Sequence, residues 1–183
     1  SKHSIEIIMT YQQKVFCKAV YAAACALYLK DKDNCVSPLF TTAQAMLESG
    51  WGKGAIGNNL FGMTVGSSWT GKRQLVTTRE VFSTPNKQFN APECIISVTP
   101  LNGGRYVYKC KRLFRDYATL EEGLKDHNAL FKKQIYADAW PYRLYPKEFA
   151  KRISDKKGGM YATDPLYSRT LCRMIDIVAS IVK

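Results

Sequence analysis

The chain has 183 residues, of which 46% are apolar and 23% charged, the usage of an ordinary globular domain. That composition excludes a disordered tail, a collagen-like fibre and a low-complexity linker, and a single domain of this length can bury a core without staples. Lys and Arg number 27 against 15 Asp and Glu, a net charge of +12, which favours anionic partners (nucleic acid, anionic lipid or anionic wall polymer) or serves solubility alone. The cations are scattered, as at Lys72-Arg73, at Lys109, Lys111 and Arg112, and at Lys151-Arg152. Scatter without an arginine-rich arm suits a general attraction better than a base-reading element, so no specific nucleic-acid partner is expected. The longest apolar run, the ten residues Val20 to Leu29, is about half a bilayer-spanning helix, so no membrane span is expected.

Ile5, Ile8, Tyr11, Val15, Ala19 and Ala22 recur at three- and four-residue steps and predict a first helix, broken by Asp31 to Asn34. Ser37-Pro38 opens a second, with Ser as N-cap and Pro in the first turn. It runs through Glu48 and stops at Ser49-Gly50, where Gly is a natural C-terminal cap. From about Trp51 to Tyr108 the chain is rich in Gly, Thr, Val and Asn, with β-branched runs at Leu75 to Thr78 and Ile95 to Val98, and reads as loops plus one or two hairpins. Thr119-Leu-Glu-Glu122 is a capping box opening a helix to about Gln134. Pro146 opens a short helix ending near Gly158, and Asp164-Pro165 caps a last one with the stripe Tyr167, Leu171, Met174, Val178 and Ile181. No internal repeat interrupts this order. The expectation is one α+β domain spanning residues 1–183, with a helical lobe over about 1–60 and 112–183, a β-hairpin lobe over about 65–111, and a cleft between them.

The six cysteines, Cys17, Cys25, Cys35, Cys94, Cys110 and Cys172, show no C-x-x-C spacing, and His3 and His127 sit far apart. No metal site and no cofactor are therefore expected. Asn102-Gly103-Gly104 is a turn signal, and a hairpin centred near Asn102 sets Cys94 nearly opposite Cys110, as a disulfide or as two buried thiols. The chain begins at Ser1 with no signal peptide in view, read as a targeting segment already removed or a trimmed chain.

Glu48 stands out on physical grounds. It falls in the last turn of a short apolar helix, where the negative end of the helix dipole and neighbours such as Trp51 disfavour a carboxylate. Both effects raise its pKa, as a general acid near neutral pH requires; the plain alternative is an exposed acid at a helix end.

The surroundings narrow the choice. Ala43-Gln-Ala-Met-Leu-Glu-Ser-Gly-Trp-Gly52 is followed by Asn59-Leu-Phe-Gly62, then Phe114-Arg-Asp-Tyr117, Asp126-His127 and Tyr161-Ala-Thr-Asp-Pro-Leu-Tyr167. In this order and at these intervals the blocks, from about Ser37 to Met174, resemble glycoside hydrolase family 73, the bacterial β-N-acetylglucosaminidases that cut peptidoglycan. The resemblance implies a lysozyme-like fold with Glu48 as the general acid that protonates the glycosidic oxygen. It places a second carboxylate at Glu80, in Thr77-Thr-Arg-Glu80, as the base that activates water; the alternatives are an ion pair with Arg79 or Lys72, with Glu93 as another candidate acid. Substrate assistance by the 2-acetamido group would leave Glu80 dispensable.

Tyr161 matches the family's functional tyrosine, beside a plain packing alternative in which Asp164 only caps the last helix. Asn59 and Phe61 match the N-L-F-G block, where an amide can bind an acetamido group and a ring can stack on a sugar. Trp51, Trp69 and Tyr136 are looser sugar platforms, each open to a core role, as is Tyr167. His127 reads as a hydrogen-bonded structural residue. The chain departs from the family pattern at Thr64, where a Lys is usual, and at Met160, where a Gly is common before Y-A-T-D. Ser83 to Arg105 has no family counterpart. The implied partners are peptidoglycan glycan strands and anionic wall polymers, and the implied location is the periplasm, the wall or the exterior, with a muramidase, a lytic transglycosylase or a non-catalytic wall-binding module as the rivals. The sequence sets no oligomeric state.

Overall fold

The computed structural model describes residues 9–154 and 166–183. The chain divides into two compact units, one built from the chain up to Phe61 and from Ala118 onward, the other from Gly62–Tyr117.

Among its described residues the first unit holds five α-helices. Helix α1 (Tyr11–Lys30) begins at Thr10, whose hydroxyl accepts from the Gln13 backbone N–H at 3.0 Å while the Gln13 side chain accepts from the Thr10 N–H at 2.9 Å. This reciprocal cap, visible as T-x-x-Q, fixes the helix start where periodicity had placed it earlier; Ile5 and Ile8 lie outside the described residues. Cys17, Val20, Ala24 and Leu27 form the buried stripe of α1. Helix α2 (Pro38–Glu48) starts as expected, with Ser37 as its cap, and every residue from Phe40 to Met46 is buried. It is therefore the core helix of the unit.

Helix α3 (Leu120–Leu130) stops short of the expected Gln134. Phe131 takes the C-cap and its ring is fully buried, with centroids 5.5 Å from Phe40 and 5.2 Å from Phe149, so the chain turns inward there. Phe40 and Phe149 meet edge-on at 4.8 Å, completing an aromatic triad at the centre of the unit. Helix α4 (Pro146–Ser154) contributes Phe149, Ala150 and Ile153 to this core. Helix α5 (Tyr167–Ile181) buries Tyr167, Leu171, Met174, Ile175 and Val178. The expected cap at Asp164 and the stretch up to Gly158 lie outside the described residues. No helix among the described residues is long and apolar enough to cross a membrane.

The second unit is an antiparallel sheet of β1 (Arg73–Phe82), β2 (Cys94–Leu101) and β3 (Arg105–Arg115), ordered β1-β3-β2. The turn between β2 and β3 falls at Asn102-Gly103-Gly104, with Gly103 and Gly104 at φ 81° and 71°, angles open to glycine without a Cβ clash. The sequence placed this turn correctly but misjudged the register. Cys94 pairs with Lys111, and Ile95 pairs with Cys110. A one-residue offset sends the two cysteine side chains to opposite faces, so no disulfide joins them: Cys94 is exposed, Cys110 is buried and all six thiols are free.

Candidate functional site

Glu48 ends α2 at a tight turn. Ser49 Oγ donates to the Ala45 carbonyl at 2.6 Å and accepts from the Gly52 N–H at 2.9 Å, and the Trp51 N–H donates to the Met46 carbonyl at 2.9 Å. Gly50, Trp51 and Gly52 all take positive φ (55°, 61° and 93°). For a bulky residue such as Trp51 that is a strained conformation, held by the surrounding bonds. Gly52 favours glycine through its φ of 93°, and a Cβ there would also lie 3.0 Å from the Phe16 ring.

Three buried polar side chains converge behind Glu48. Tyr167, the first residue of α5, donates its hydroxyl proton to Glu48 Oε1 at 2.9 Å. The same hydroxyl accepts from Gln44 Nε2 at 2.9 Å, and Gln44 Oε1 lies 2.5 Å from His127 Nε2 on α3. Directions follow from the donors available. The Gln44 amide nitrogen gives its proton to Tyr167, so the one hydroxyl proton of Tyr167 is committed to Glu48. The Gln44 carbonyl oxygen then takes the Nε2 proton of a neutral His127. His127 is fully buried, its ring stacked on Phe61 at 3.6 Å between centroids and 12° between planes. Burial lowers its pKa to about 3, and its bare Nδ1 has no hydrogen-bond partner among the described residues. The expectation of a hydrogen-bonded structural histidine fits this geometry.

Glu48 is reached by solvent at the helix end, yet enough protein surrounds its carboxyl that desolvation raises its pKa above the ordinary carboxylate range, with the Tyr167 bond pulling the other way. Desolvation does what the sequence argument assigned to the dipole and Trp51. Gln44 and the role of Tyr167 were missed. The available signal was spacing: Gln44 is one turn before Glu48, hence on the same face, and is the one side-chain amide of the helix.

In the second unit, Glu80 is paired with Arg112 rather than with Arg79 or Lys72. Arg79 is excluded because adjacent strand residues point to opposite faces. Arg112 Nε also donates to Glu93 Oε2 at 2.6 Å, and the Leu113 N–H donates to that oxygen at 3.0 Å. The guanidinium stacks 4.3 Å over the Phe89 ring. One arginine thus fixes both acidic candidates of this unit.

The expected sugar contacts divide. Asn59, Phe61 and Tyr136 are 1%, 7% and 5% exposed, packed in the core rather than displayed as platforms, Phe61 against His127 and Tyr136 against Phe131. Trp51 and Trp69 are half-buried. Trp69 donates its indole N–H to the Lys72 carbonyl at 2.8 Å and lies under the Arg115 guanidinium at 5.1 Å. Tyr161 lies outside the described residues.

A helical unit with an embedded core helix, a small antiparallel sheet, and a protonatable carboxyl at the end of that core helix define a lysozyme-like α+β protein. The family described as glucosaminidase (mannosyl-glycoprotein endo-beta-N-acetylglucosaminidase) matches residues 26–179, and the chain belongs to that family, glycoside hydrolase family 73. It is 28% identical over 147 residues to the peptidoglycan hydrolase FlgJ of Pseudomonas aeruginosa, covering 76% of this chain and 31% of that protein. It is 27% identical over 173 residues to the exo-glucosaminidase LytG of Bacillus subtilis, covering 90% of this chain and 51% of that protein. The chain thus spans only about a third to a half of these relatives. The structure of the C-terminally truncated glycoside hydrolase domain of Salmonella typhimurium FlgJ superposes with a TM-score of 0.65 at 27% identity, covering 92% of this chain and 98% of that one.

Proposed function

We propose that the protein is a peptidoglycan glucosaminidase that cuts the β-1,4 bond between N-acetylglucosamine and the following N-acetylmuramic acid, acting in the periplasm, in the wall or outside the cell. The observation that carries this reading is Glu48: a desolvated carboxyl, raised in pKa, oriented by Tyr167 and set in the family's most specific block. Protonated, Glu48 gives its proton to the glycosidic oxygen as the bond to the leaving sugar breaks. Tyr167 occupies Oε1, so Oε2 is the oxygen left to carry the transferable proton. The names of the relatives, one a peptidoglycan hydrolase and one an exo-glucosaminidase, support the substrate class.

Digestion of purified peptidoglycan, borohydride reduction of the products and mass spectrometry of the new ends test the reading. Reduced N-acetylglucosamine ends are expected. Reduced muramic ends would move the cut to the other bond, anhydro-muramic ends would mean a transglycosylase, and tight wall binding without new ends would leave a binding module. Release of single sugars from chain ends would separate an exo from an endo mode.

Two variants refine the mechanism. Tyr167→Phe removes the donor to Glu48 and leaves Gln44 Nε2 without its acceptor. kcat is expected to fall about tenfold with KM little changed. The Tyr167 bond favours the charged carboxylate, so its loss raises the Glu48 pKa and moves the alkaline limb of the kcat/KM profile to higher pH. A limb that stays in place would reduce Tyr167 to packing.

Glu80→Gln tests the second carboxylate, which Arg112 holds in place. A loss of about a hundredfold or more is expected if Glu80 is the general base. Activity within a few-fold of the parent would assign its role to the substrate's acetamido group. Tyr161 is retained as a site residue on the resemblance, and Trp51 and Trp69 as sugar contacts on their partial exposure.

A further inference from the structure

The sequence scatters its cations; the sheet gathers a set of them on one open face. On β1, Arg73, Leu75, Thr77, Arg79 and Val81 are exposed, and on β3, Arg105, Lys109 and Lys111. The register puts these residues on a common face, with Arg79 directly opposite Lys109 and Thr77 opposite Lys111, while β2 adds Ser97 beside Lys109 and Thr99 beside Val107. None of the residues that the three strands place on this face is Asp or Glu. Glu80 and Glu93 are both taken by Arg112, with Glu80 and Arg112 on the other face. In the described structure Arg79, Lys109 and Lys111 meet no carboxylate.

A like-charge pair, Arg79 with Lys109, therefore stands directly across adjacent strands. Such a pair destabilises a sheet, whereas an anion laid over it would relieve the repulsion. We infer that this face is a docking surface for a linear phosphodiester polyanion attached to the bacterial wall, held by Arg79, Lys109 and Lys111. The inference rests on the wall-hydrolase reading above for the identity of the polymer.

Three features select this occupant. Lys109 and Lys111 are separated by about 6.7 Å along the strand, with Arg79 about 5 Å across, a spacing that suits a charge repeated along a chain rather than one isolated anion. Thr77, Ser97 and Thr99 supply hydroxyl donors around the cations for phosphate oxygens. The aromatic residues of the strands, Phe82, Tyr106, Tyr108 and Phe114, lie on the opposite face, so the strands offer no stacking platform on this one for the bases of a single-stranded nucleic acid.

The test compares the full chain with the triple variant Arg79→Gln/Lys109→Gln/Lys111→Gln. A charge-matched control, Lys14→Gln/Lys18→Gln/Lys151→Gln, changes three exposed lysines of the helical unit. Soluble poly(glycerol phosphate) is the probe. The triple variant is expected to bind about tenfold or more weakly, with a log K against log salt slope shallower by about two, as for the loss of three phosphate contacts. The control should stay within about twofold. The triple variant should melt no lower than the parent, because like-charge repulsion is relieved. Its hydrolysis of phosphate-free peptidoglycan should be unchanged. Equal weakening in the control would reduce the effect to net charge and overturn the proposal, as would unchanged binding by the triple variant. Tighter binding of the parent to phosphatidylglycerol vesicles or to single-stranded DNA would also overturn it. A parent that fails to cut phosphate-free peptidoglycan would sink the hydrolase reading instead, and the binding comparison would still judge the surface.

Discussion

Glu48→Gln is expected to lower kcat on peptidoglycan by about three orders of magnitude, with KM within about twofold. Gln keeps the shape and can still accept the Tyr167 proton at Oε1, but it has no proton to give to the leaving oxygen. The interaction lost exists only as the glycosidic bond breaks, so the loss falls on kcat. The same substitution has a second, opposite signature. The folded-state pKa of Glu48 is raised by desolvation, so the stability tied to its neutral form is present below the unfolded pKa and is lost as pH rises through the folded one. Where Glu48 is ionised, the parent holds a poorly solvated charge that Gln does not. Glu48→Gln is therefore expected to melt at an equal or higher temperature than the parent at pH 7, the difference closing toward pH 4. A variant that is inactive and also less stable at pH 7 would show that Glu48 serves the fold rather than the reaction. Stability given up at a working residue is a common trade in enzymes.

His127→Gln should produce the largest change in stability. The ring is fully buried, stacked on Phe61 and edge-on to Phe131 at 5.1 Å. Its replacement by a smaller, flexible side chain is expected to cost about 2–4 kcal/mol at pH 7. The pH dependence identifies the cause. His127 titrates at about 3 in the fold and near 6.5 in the unfolded chain. The unfolded chain takes up a proton between these values that the native state refuses, so stability falls as pH falls through that window, by about 1.4 kcal/mol per unit. Between pH 7 and pH 5 this group alone removes about 2 kcal/mol from the parent. The variant lacks the group, so the gap between the two should narrow by that amount. Denaturant unfolding at pH 7, 6 and 5 measures it, and parallel curves would mean that His127 takes up its proton in the fold as readily as in the unfolded chain.

The local signals were legible. Ser37 and Pro38 start α2, Gly50 ends it, and Glu48 is its last residue. The hairpin turn at Asn102-Gly103-Gly104 and the apolar stripe of α5 were also readable. The T-x-x-Q cap of α1 was equally local and was passed over because periodicity carried the helix upstream of it. All of these depend on residues within about one turn of each other, whose sterics and hydrogen bonds are set by the chain itself.

The chemistry behind Glu48 was not legible in that way. Tyr167 reaches it across 119 positions, and Gln44 meets His127 across 83. Arg112 claims Glu80 from 32 positions away, where the sequence offered the neighbours Arg79 and Lys72. Burial of Asn59, Phe61 and Tyr136, the one-residue offset that separates Cys94 from Cys110, and the gathering of Arg79, Lys109 and Lys111 on one face belong to the same group. The sequence by itself determined which helix would carry the acid and where that helix would end, because caps and turns are satisfied by adjacent residues. Only the tertiary structure decided which groups orient that acid, which side chains reach solvent and which cations stand together, because register, burial and hydrogen-bond partnership are properties of what lies opposite, and that is fixed by packing between distant segments.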